Sequence, residues 1–474
     1  MMSGRLAAAL LAALTLQACA VGPNYSRPDT PLPGSFRGDD TPQPESLADL
    51  PWWDVFHDEV LQGLITEALR NNYDLQTAVA RVEQARGVLV TTRSAIFPQG
   101  SYEGDAARAR TFFGFESNRT FNVFAGTFNL AWELDIWGRI RRATEAARAQ
   151  LLAQNEFRSG VVISLVSTVA QSYLQLCELD VELEIARRST KVFQETLDLF
   201  QRQFEGGVGT KLAVARGEAA LAQAAATIPN TERQIVATEN AISILLGWPP
   251  TDIPRGAVLT EQRLPPRPPP GLPAQILERR PDVRQAEETL RATNAEVGVA
   301  IADFFPRIGL TALYGGQSTE LETVVKGPGN VWQIAASVAG PLFQGGRLIG
   351  EYKSSVASWE ASKAQYEQTV LTSLREVSDA LVDADKLQGV RDELAIAVKA
   401  LQEASELATI RFTGGLATYF EVLEAQQQLF PAEVSLAQTE RDQLLAVVQL
   451  YRALGGGWSE GEQTLPLDAF PGWP

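Results

Sequence analysis

The sequence predicts a mainly α-helical protein that builds a membrane β-barrel by self-association, and three observations carry that prediction. The stretch from Trp52 to Trp458 is one unit written twice, at a fixed offset of 208 positions. Each copy holds two segments in which apolar and polar residues alternate with period two, as in strands with lipid on one face and water on the other. Each copy then runs into 67 helix-patterned residues without proline, Gly138 to Phe204 and Gly346 to Phe412. At about 1.5 Å per residue such a rod is roughly 100 Å long, too long to hide in a globular domain.

The offset is read from punctuation. Asp74 recurs as Asp282, Phe97-Pro98 as Phe305-Pro306, and Leu134, Gly138 and Arg139 as Leu342, Gly346 and Arg347. Phe204, Gly206, Gly207 and Thr210 recur as Phe412, Gly414, Gly415 and Thr418, and Leu246-Gly247 as Leu454-Gly455. Gly and Pro fix special backbone geometry, so their recurrence at one spacing means recurring turns joined by elements of equal length. The period far exceeds that of solenoids, which marks a duplicated domain.

Taken in order, residues 1–18 are a signal peptide: Arg5 is basic, Leu6 to Leu16 is a short apolar core, and Leu16-Gln17-Ala18-Cys19 follows. Small residues before a Cys resemble a bacterial lipobox, which implies diacylglycerol on the Cys19 sulfur, and Ala20 in the next position resembles lipoproteins sent to the outer membrane. Residues 19–50 form an acylated, Pro-rich linker. The first repeat, 51–249, opens with one helix over residues 57–97, stopped by Pro98. A β-hairpin over 99–136 follows, whose second strand puts Phe124, Phe128, Leu130, Trp132, Leu134 and Ile136 on one face. Asn129, Thr127, Glu133 and Asp135 share the other. Phe112, Phe113, Phe115 and Phe121 flank the hairpin loop and Trp132 and Trp137 its far end, as two aromatic girdles would. The long helix then turns at Gly206-Gly207-Val208-Gly209-Thr210 and returns over 210–247.

Residues 250–272, including Pro268-Pro269-Pro270, are an extended connector. The second repeat, 273–457, has its own helix, a hairpin over 307–343 that includes Leu342, and a rod in which Leu387, Val390, Leu394, Ala397, Leu401, Ala404 and Ala408 form a coiled-coil seam. It turns at Gly414-Gly415-Leu416-Ala417-Thr418 and returns over 418–454, leaving 458–474 as a tail.

Composition removes several function classes. With Cys19 acylated, Cys177 is the one thiol left, expected as a buried apolar residue. The single His57, beside Asp58 and Glu59, belongs at a helix start, and no phosphate loop or Cys and His cluster accompanies it, so neither an enzyme nor a cofactor beyond the lipid is expected. Met1 and Met2 leave with the signal, so no Met-rich metal surface remains. With 57 acidic against 41 basic residues, a nucleic-acid surface is excluded. After the signal no apolar run approaches the roughly 18 residues of a membrane helix, so a crossing must use strands. Two hairpins give four strands, the smallest membrane barrels have about eight, and an open sheet edge is not viable in lipid. The chain must therefore assemble with copies of itself.

Val21-Gly22-Pro23-Asn24-Tyr25 behind Cys19, the Trp52-Trp53 pair, Arg411-Phe412 through Gly415 to Leu423-Glu424-Ala425-Gln426, and Leu454-Gly455-Gly456-Gly457-Trp458 resemble outer-membrane efflux lipoproteins of the TolC/OprM type. The resemblance implies a homotrimer with a shared twelve-stranded barrel in the outer membrane of a Gram-negative bacterium and a helical tunnel in the periplasm. It implies the exit duct of a tripartite pump, completed by a periplasmic adaptor and an inner-membrane RND-type transporter. It places adaptor contacts at Gly206 to Thr210 and Gly414 to Thr418, and a gate at Phe420 and Glu424. At minus 208 from these lie Leu212 and Arg216, so an Arg216–Glu424 bridge between neighbouring helices is a candidate latch. Relatives often carry Asp at the gate with an Arg three residues on, where this chain has Glu424 and Gln427. A duct for metal efflux or type I secretion, and a structural periplasmic spacer, are the competing readings.

Overall fold

A computed structural model of the chain describes residues 20–37, 58–113, 116–262, 271 and 273–456, with the backbone alone at 109, 111–113 and 116–119. Cys19, Trp52, Trp53, His57 and Trp458 lie outside the described residues. In chain order the elements are α1 (Glu59–Asn71), α2 (Tyr73–Ser94), β1 (Gln99–Phe113), β2 (Glu116–Leu134), α3 (Arg139–Glu205) and α4 (Lys211–Leu245). The second copy gives α5 (Ile276–Arg279), α6 (Pro281–Ala302), β3 (Arg307–Ser318), β4 (Asn330–Ala339), α7 (Arg347–Thr413) and α8 (Tyr419–Ala453). Three helix pairs match in length: 22 residues in α2 and α6, 67 in α3 and α7, and 35 in α4 and α8. The hairpins do not match: β1 and β2 have 15 and 19 residues, β3 and β4 only 12 and 10.

The chain divides into two compact units. The first combines the N-terminal stretch up to Asp29 with residues 80–156 and 285–368, and it holds one antiparallel sheet in the order β1-β2-β3-β4. The register runs straight across it. Tyr102 lies opposite Phe128, Phe128 opposite Tyr314, and Tyr314 opposite Trp332, so an aromatic row crosses all four strands with every ring exposed. Leu130, Ala312 and Ile334 form the next row, and Trp132, Leu310 and Ala336 the one after. The opposite face carries Ser101, Glu103, Asp105, Thr127, Asn129, Glu133, Gln317, Gln333 and Ser337.

Both strand ends fall short of the expected bounds. β2 stops at Leu134 because Asp135 turns aside to cap α3, its two carboxylate oxygens accepting the N–H groups of Ile140 and Arg141, each at 2.9 Å. Ile136 therefore lies in the turn. β4 stops at Ala339 because Pro341 has no N–H to give the ladder, which leaves Leu342 and Phe343 exposed beyond the strand.

In the same unit residues 20–29 form a strap. Val21 donates its N–H to Trp137 O at 3.0 Å, while Arg142 donates from Nε to Val21 O at 3.1 Å and from Nη2 to Gly22 O and Asn24 Oδ1 at 3.2 and 2.8 Å. Gly22 has φ +99°, and a Cβ there would come within 2.5 Å of Gly298 Cα, so only glycine fits that crossing. Further on, Glu287 accepts from Tyr25 Oη, Arg27 and Arg291, at 2.7 to 3.0 Å. Burial opposes its charge, but these donors, Arg27 foremost, hold its carboxyl below the usual range.

The second unit holds residues 30–79, 157–284 and 369 onward. The single helix expected over 57–97 is broken at Asn72, whose Oδ1 caps Leu75 N at 3.0 Å and whose Nδ2 donates to Leu245 O at 3.0 Å. The second copy breaks at Arg280, 208 positions on, which donates from Nη1 to Ala453 O at 2.8 Å. The same carbonyl of the returning helix is thus met by a short amide in one copy and a long guanidinium in the other. Asp58 caps α1, accepting from Val60 N and Leu61 N, and also from Tyr173 Oη at 2.9 Å and Gln262 Nε2 at 2.8 Å. Pro229 and Pro431 sit inside α4 and α8 without ending them.

One stretch of α3 is long and apolar enough to cross a membrane by composition, contrary to expectation, because Ser, Thr and Gln interrupt its apolar residues without charging it. Over half of that stretch (56%) is buried inside the protein, which accounts for its apolarity. Cys177 lies within α3, and its burial pushes the thiol up to about 12. On α7 between residues 387 and 408, Leu387, Arg391, Leu394, Ala395, Ala397, Leu401, Ser405 and Ala408 are half-buried and Val398 is buried. Five of the seven expected seam residues, Leu387, Leu394, Ala397, Leu401 and Ala408, are among them, but Val390 and Ala404 are exposed within the chain, since helix phase rather than apolarity decides which side packs.

Burial pushes the Asp58 carboxyl upward, but the hydrogen bonds from Gln262, Leu61, Tyr173 and Val60 outweigh it and set the folded value below the ordinary one. A depressed carboxyl contributes stability above its unfolded pKa, about 3.9, and loses it as pH falls through the folded value. Asp58→Asn is expected to cost about 1–3 kcal/mol at neutral pH. Thermal unfolding of the two proteins should converge as the pH falls well below the ordinary carboxyl range, and a difference independent of pH would show that the charge is immaterial.

Candidate functional site

The helical hairpins of the second unit end in two tips built alike. At the first, Gly206 N–H bonds Arg202 O, Gly207 N–H bonds Phe204 O and Val208 N–H bonds Gln203 O, each at 3.0 Å. At the second, Gly414, Gly415 and Leu416 repeat the pattern onto Ile410, Phe412 and Arg411 at 2.8 to 3.0 Å. Gly207 and Gly415 take φ +75° and +72°, the left-handed cap that closes a helix and that side chains resist. Val208 and Leu416 stand at the two apices, 81% and 76% exposed.

The tips differ just beyond. Gly209 donates a further bond to Gln203 O at 2.8 Å, and a Cβ there would come within 2.7 Å of Phe204 N, whereas the second tip has Ala417. Thr210 Oγ1 accepts from Ala213 N at 3.2 Å, while Thr418 N–H donates to the Glu421 carboxylate at 3.1 Å.

Beneath the tips lies an aromatic cluster that the sequence reading missed. Phe200 stands edge-on to Phe412 and Tyr419 at 5.4 and 5.9 Å between ring centres, and Phe193 to Phe430 at 5.5 Å. Ala213, Ala220 and Leu423 complete it, and Gly217 lets Leu197 and Phe200 approach α4. Gln426 is 3% exposed and hydrogen-bonds Thr196, which gives the Leu-Glu-Ala-Gln signature a packing role: its Leu and Gln face inward and Glu424 faces out. The signal was present in the Phe spacing 193, 200, which is one heptad.

Leu212, Arg216, Phe420 and Glu424 all project from the exposed sides of α4 and α8. The structure brings Arg216 to Phe420, with the guanidinium carbon 5.9 Å from the ring centre, a cation–π distance. Glu424 accepts from Gln428 Nε2 at 3.4 Å, and within the chain Arg216 and Glu424 are not ion-paired. Among the described residues no cluster of three or more His, Cys, Asp or Glu gathers to hold a metal.

The model of the outer membrane efflux protein family matches residues 64–248 and 272–456. The chain belongs to that family. The two matched stretches are themselves displaced by 208 residues, 64 to 272 and 248 to 456, the offset of the duplication. This outer membrane efflux protein is 33% identical over 460 residues to outer membrane protein OprJ of Pseudomonas aeruginosa, covering 96% of each chain. It is 32% identical over 462 residues to the probable efflux pump outer membrane protein TtgC of Pseudomonas putida, covering 94% of each. Its fold matches the solved outer-membrane channel OprN with a TM-score of 0.83 at 30% identity, over 93% of this chain and all of that one. It matches the open state of the MtrE outer membrane channel of Neisseria gonorrhoeae with a TM-score of 0.83 at 29% identity, over 93% and 98% of the two chains. The family is one of outer-membrane transport ducts rather than of enzymes, and the chain resides in the outer membrane, with the helices on the periplasmic side.

Phe200→Ala is expected to cost about 3–5 kcal/mol, as for other buried Phe truncations, whereas Phe420→Ala on the exposed side should change stability by under about 0.5 kcal/mol. Denaturant unfolding of the two variants checks this, and equal losses would show that Phe420 is also packed.

Proposed function

We propose that this chain is the outer-membrane exit duct of a tripartite RND-type efflux pump, a passive channel through which small toxic compounds leave the periplasm. The observation that carries the reading is the sheet: it has four strands, apolar side chains on one face and polar groups on the other, and β1 and β4 each lack one neighbour. Unpaired N–H and C=O groups at such edges are not tolerated in hydrocarbon, so β1 of one copy pairs with β4 of the next. Three copies close twelve strands around a lumen lined by Glu103, Asp105, Asn129 and Gln333.

The position of the strap supports lipidation at Cys19. Ala20, next in the chain to Cys19, packs against Gly138, where β2 gives way to α3. At the tips, the exposed Val208 and Leu416 with the backbone of Gly206, Gly207, Gly209, Gly414 and Gly415, and with Thr210, Ala417 and Thr418, offer the periplasmic adaptor a repeated apolar knob. The gate is formed by Phe420 and Glu424 of each copy with Leu212 beside them, and Arg216 of one copy latches Glu424 of its neighbour. Similar proteins are named for antibiotic, toluene and solvent efflux, which supports small organic compounds as cargo.

A photo-crosslinking residue at Thr418 in growing cells should capture a periplasmic adaptor, identifiable by mass spectrometry. Self-links alone would move the assignment away from a pump component. Arg216→Ala should raise the resting conductance of the purified channel in planar bilayers, and an unchanged closed state would remove the latch.

A further inference from the structure

The lipid-facing side of the sheet carries no charge from the Leu134, Ile308, Val338 row up to the Ala106, Phe124 row. That interval is ten residues of β2, about 33 Å along the strand, or about 25 Å of height once the strands tilt as membrane barrels do. It is the thickness of the apolar band. The next two outward positions of β1 are Arg108, opposite Asn122, and Arg110, opposite Thr120. Both arginines are exposed, and neither forms an ion pair among the described residues. Glu103, Asp105 and Glu133 share the inward parity with Arg119 and Arg307, while Arg108 and Arg110 take the outward one. A hydrated lumen would have solvated the arginines at less cost than a lipid boundary, so their outward parity calls for an anionic partner at that level.

We propose that Arg108 and Arg110 form a binding site for the phosphate groups of outer-leaflet lipid headgroups. The hairpin loop is at the opposite end of β1 and β2 from where α2 and α3 join them, so with those helices on the periplasmic side these residues emerge at the outer leaflet. Their guanidinium forks, two positions apart and about 7 Å along the strand, can each take a phosphate through paired charge-assisted hydrogen bonds. Pairing of β1 with a neighbouring copy uses in-plane backbone groups and leaves this face unchanged. Two such forks per copy pin the barrel vertically against the headgroup layer.

Native mass spectrometry of the full-length protein in detergent tests this, with a bis-phosphorylated glycolipid, lipid A, as the probe. The Arg108→Gln/Arg110→Gln variant should retain it about tenfold more weakly, and Arg108→Lys/Arg110→Lys should fall between, since lysine keeps the charge but not the fork. Circular dichroism showing unaltered strand content excludes misfolding as the cause. Equal retention by wild type and the glutamine variant would overturn the proposal, as would equal retention of the dephosphorylated glycolipid by wild type. Displacement of the lipid by inorganic phosphate at comparable concentration would assign the site to free phosphate and overturn its membrane role.

Discussion

A β-sheet cannot end in hydrocarbon, because the backbone groups along its edge have no water to turn to. The rest of this protein depends on that constraint. The four-stranded sheet has two unpaired edges and one chain cannot close it, so a lumen exists only in an assembly. The aromatic row Tyr102, Phe128, Tyr314 and Trp332 then acquires its meaning, since a row that crosses every strand of one chain becomes a continuous apolar belt inside the membrane band when copies are joined.

Duplication conserves what packs and relaxes what does not. The paired helices keep their lengths to the residue, and even the junction between short and long helix is held twice by a side chain reaching the same carbonyl, Asn72 to Leu245 and Arg280 to Ala453. The hairpins, facing lipid and water rather than a jigsaw of neighbours, have drifted to unequal lengths. The tips show both tendencies at once: the Gly207 and Gly415 caps are identical, while Gly209 against Ala417 and Thr210 against Thr418 are not. An assembly of three chains thus presents six tips of two kinds, and just behind them the repeat-equivalent positions hold unlike residues, Leu212 against Phe420 and Arg216 against Glu424.

Buried charge is used for fastening. Glu287 secures the strap through Tyr25, Arg27 and Arg291, and Asp58 ties α1 to Tyr173 and Gln262. Each carboxylate is desolvated, and each is satisfied by several donors, which is the condition under which a buried charge holds structure rather than disturbs it. The strap also gives the Val21 to Tyr25 motif a physical reason: Gly22 must cross Gly298 without a Cβ, and Asn24 completes the set that Arg142 grips.

By itself the sequence determined the duplication, the four strands and their lipid face, the long rods and the glycine turns. All of these are local or periodic signals: a period of two, a period of 3.6, or a glycine where φ must be positive. The tertiary structure decided whatever depends on residues far apart in the chain. It broke the first helix at Asn72, because the competing partner is a carbonyl 173 positions away. It chose Arg391, Val398 and Ser405 over Val390 and Ala404 for the packed side of α7, because helix phase is set by neighbours and not by the apolarity of one strip. It built the Phe193, Phe200, Phe412 and Phe430 cluster beneath the tips from both copies, and it set Arg216 over Phe420 rather than against Glu424. Spacing along a chain fixes which way a side chain faces on its own element, while only packing fixes what it meets there.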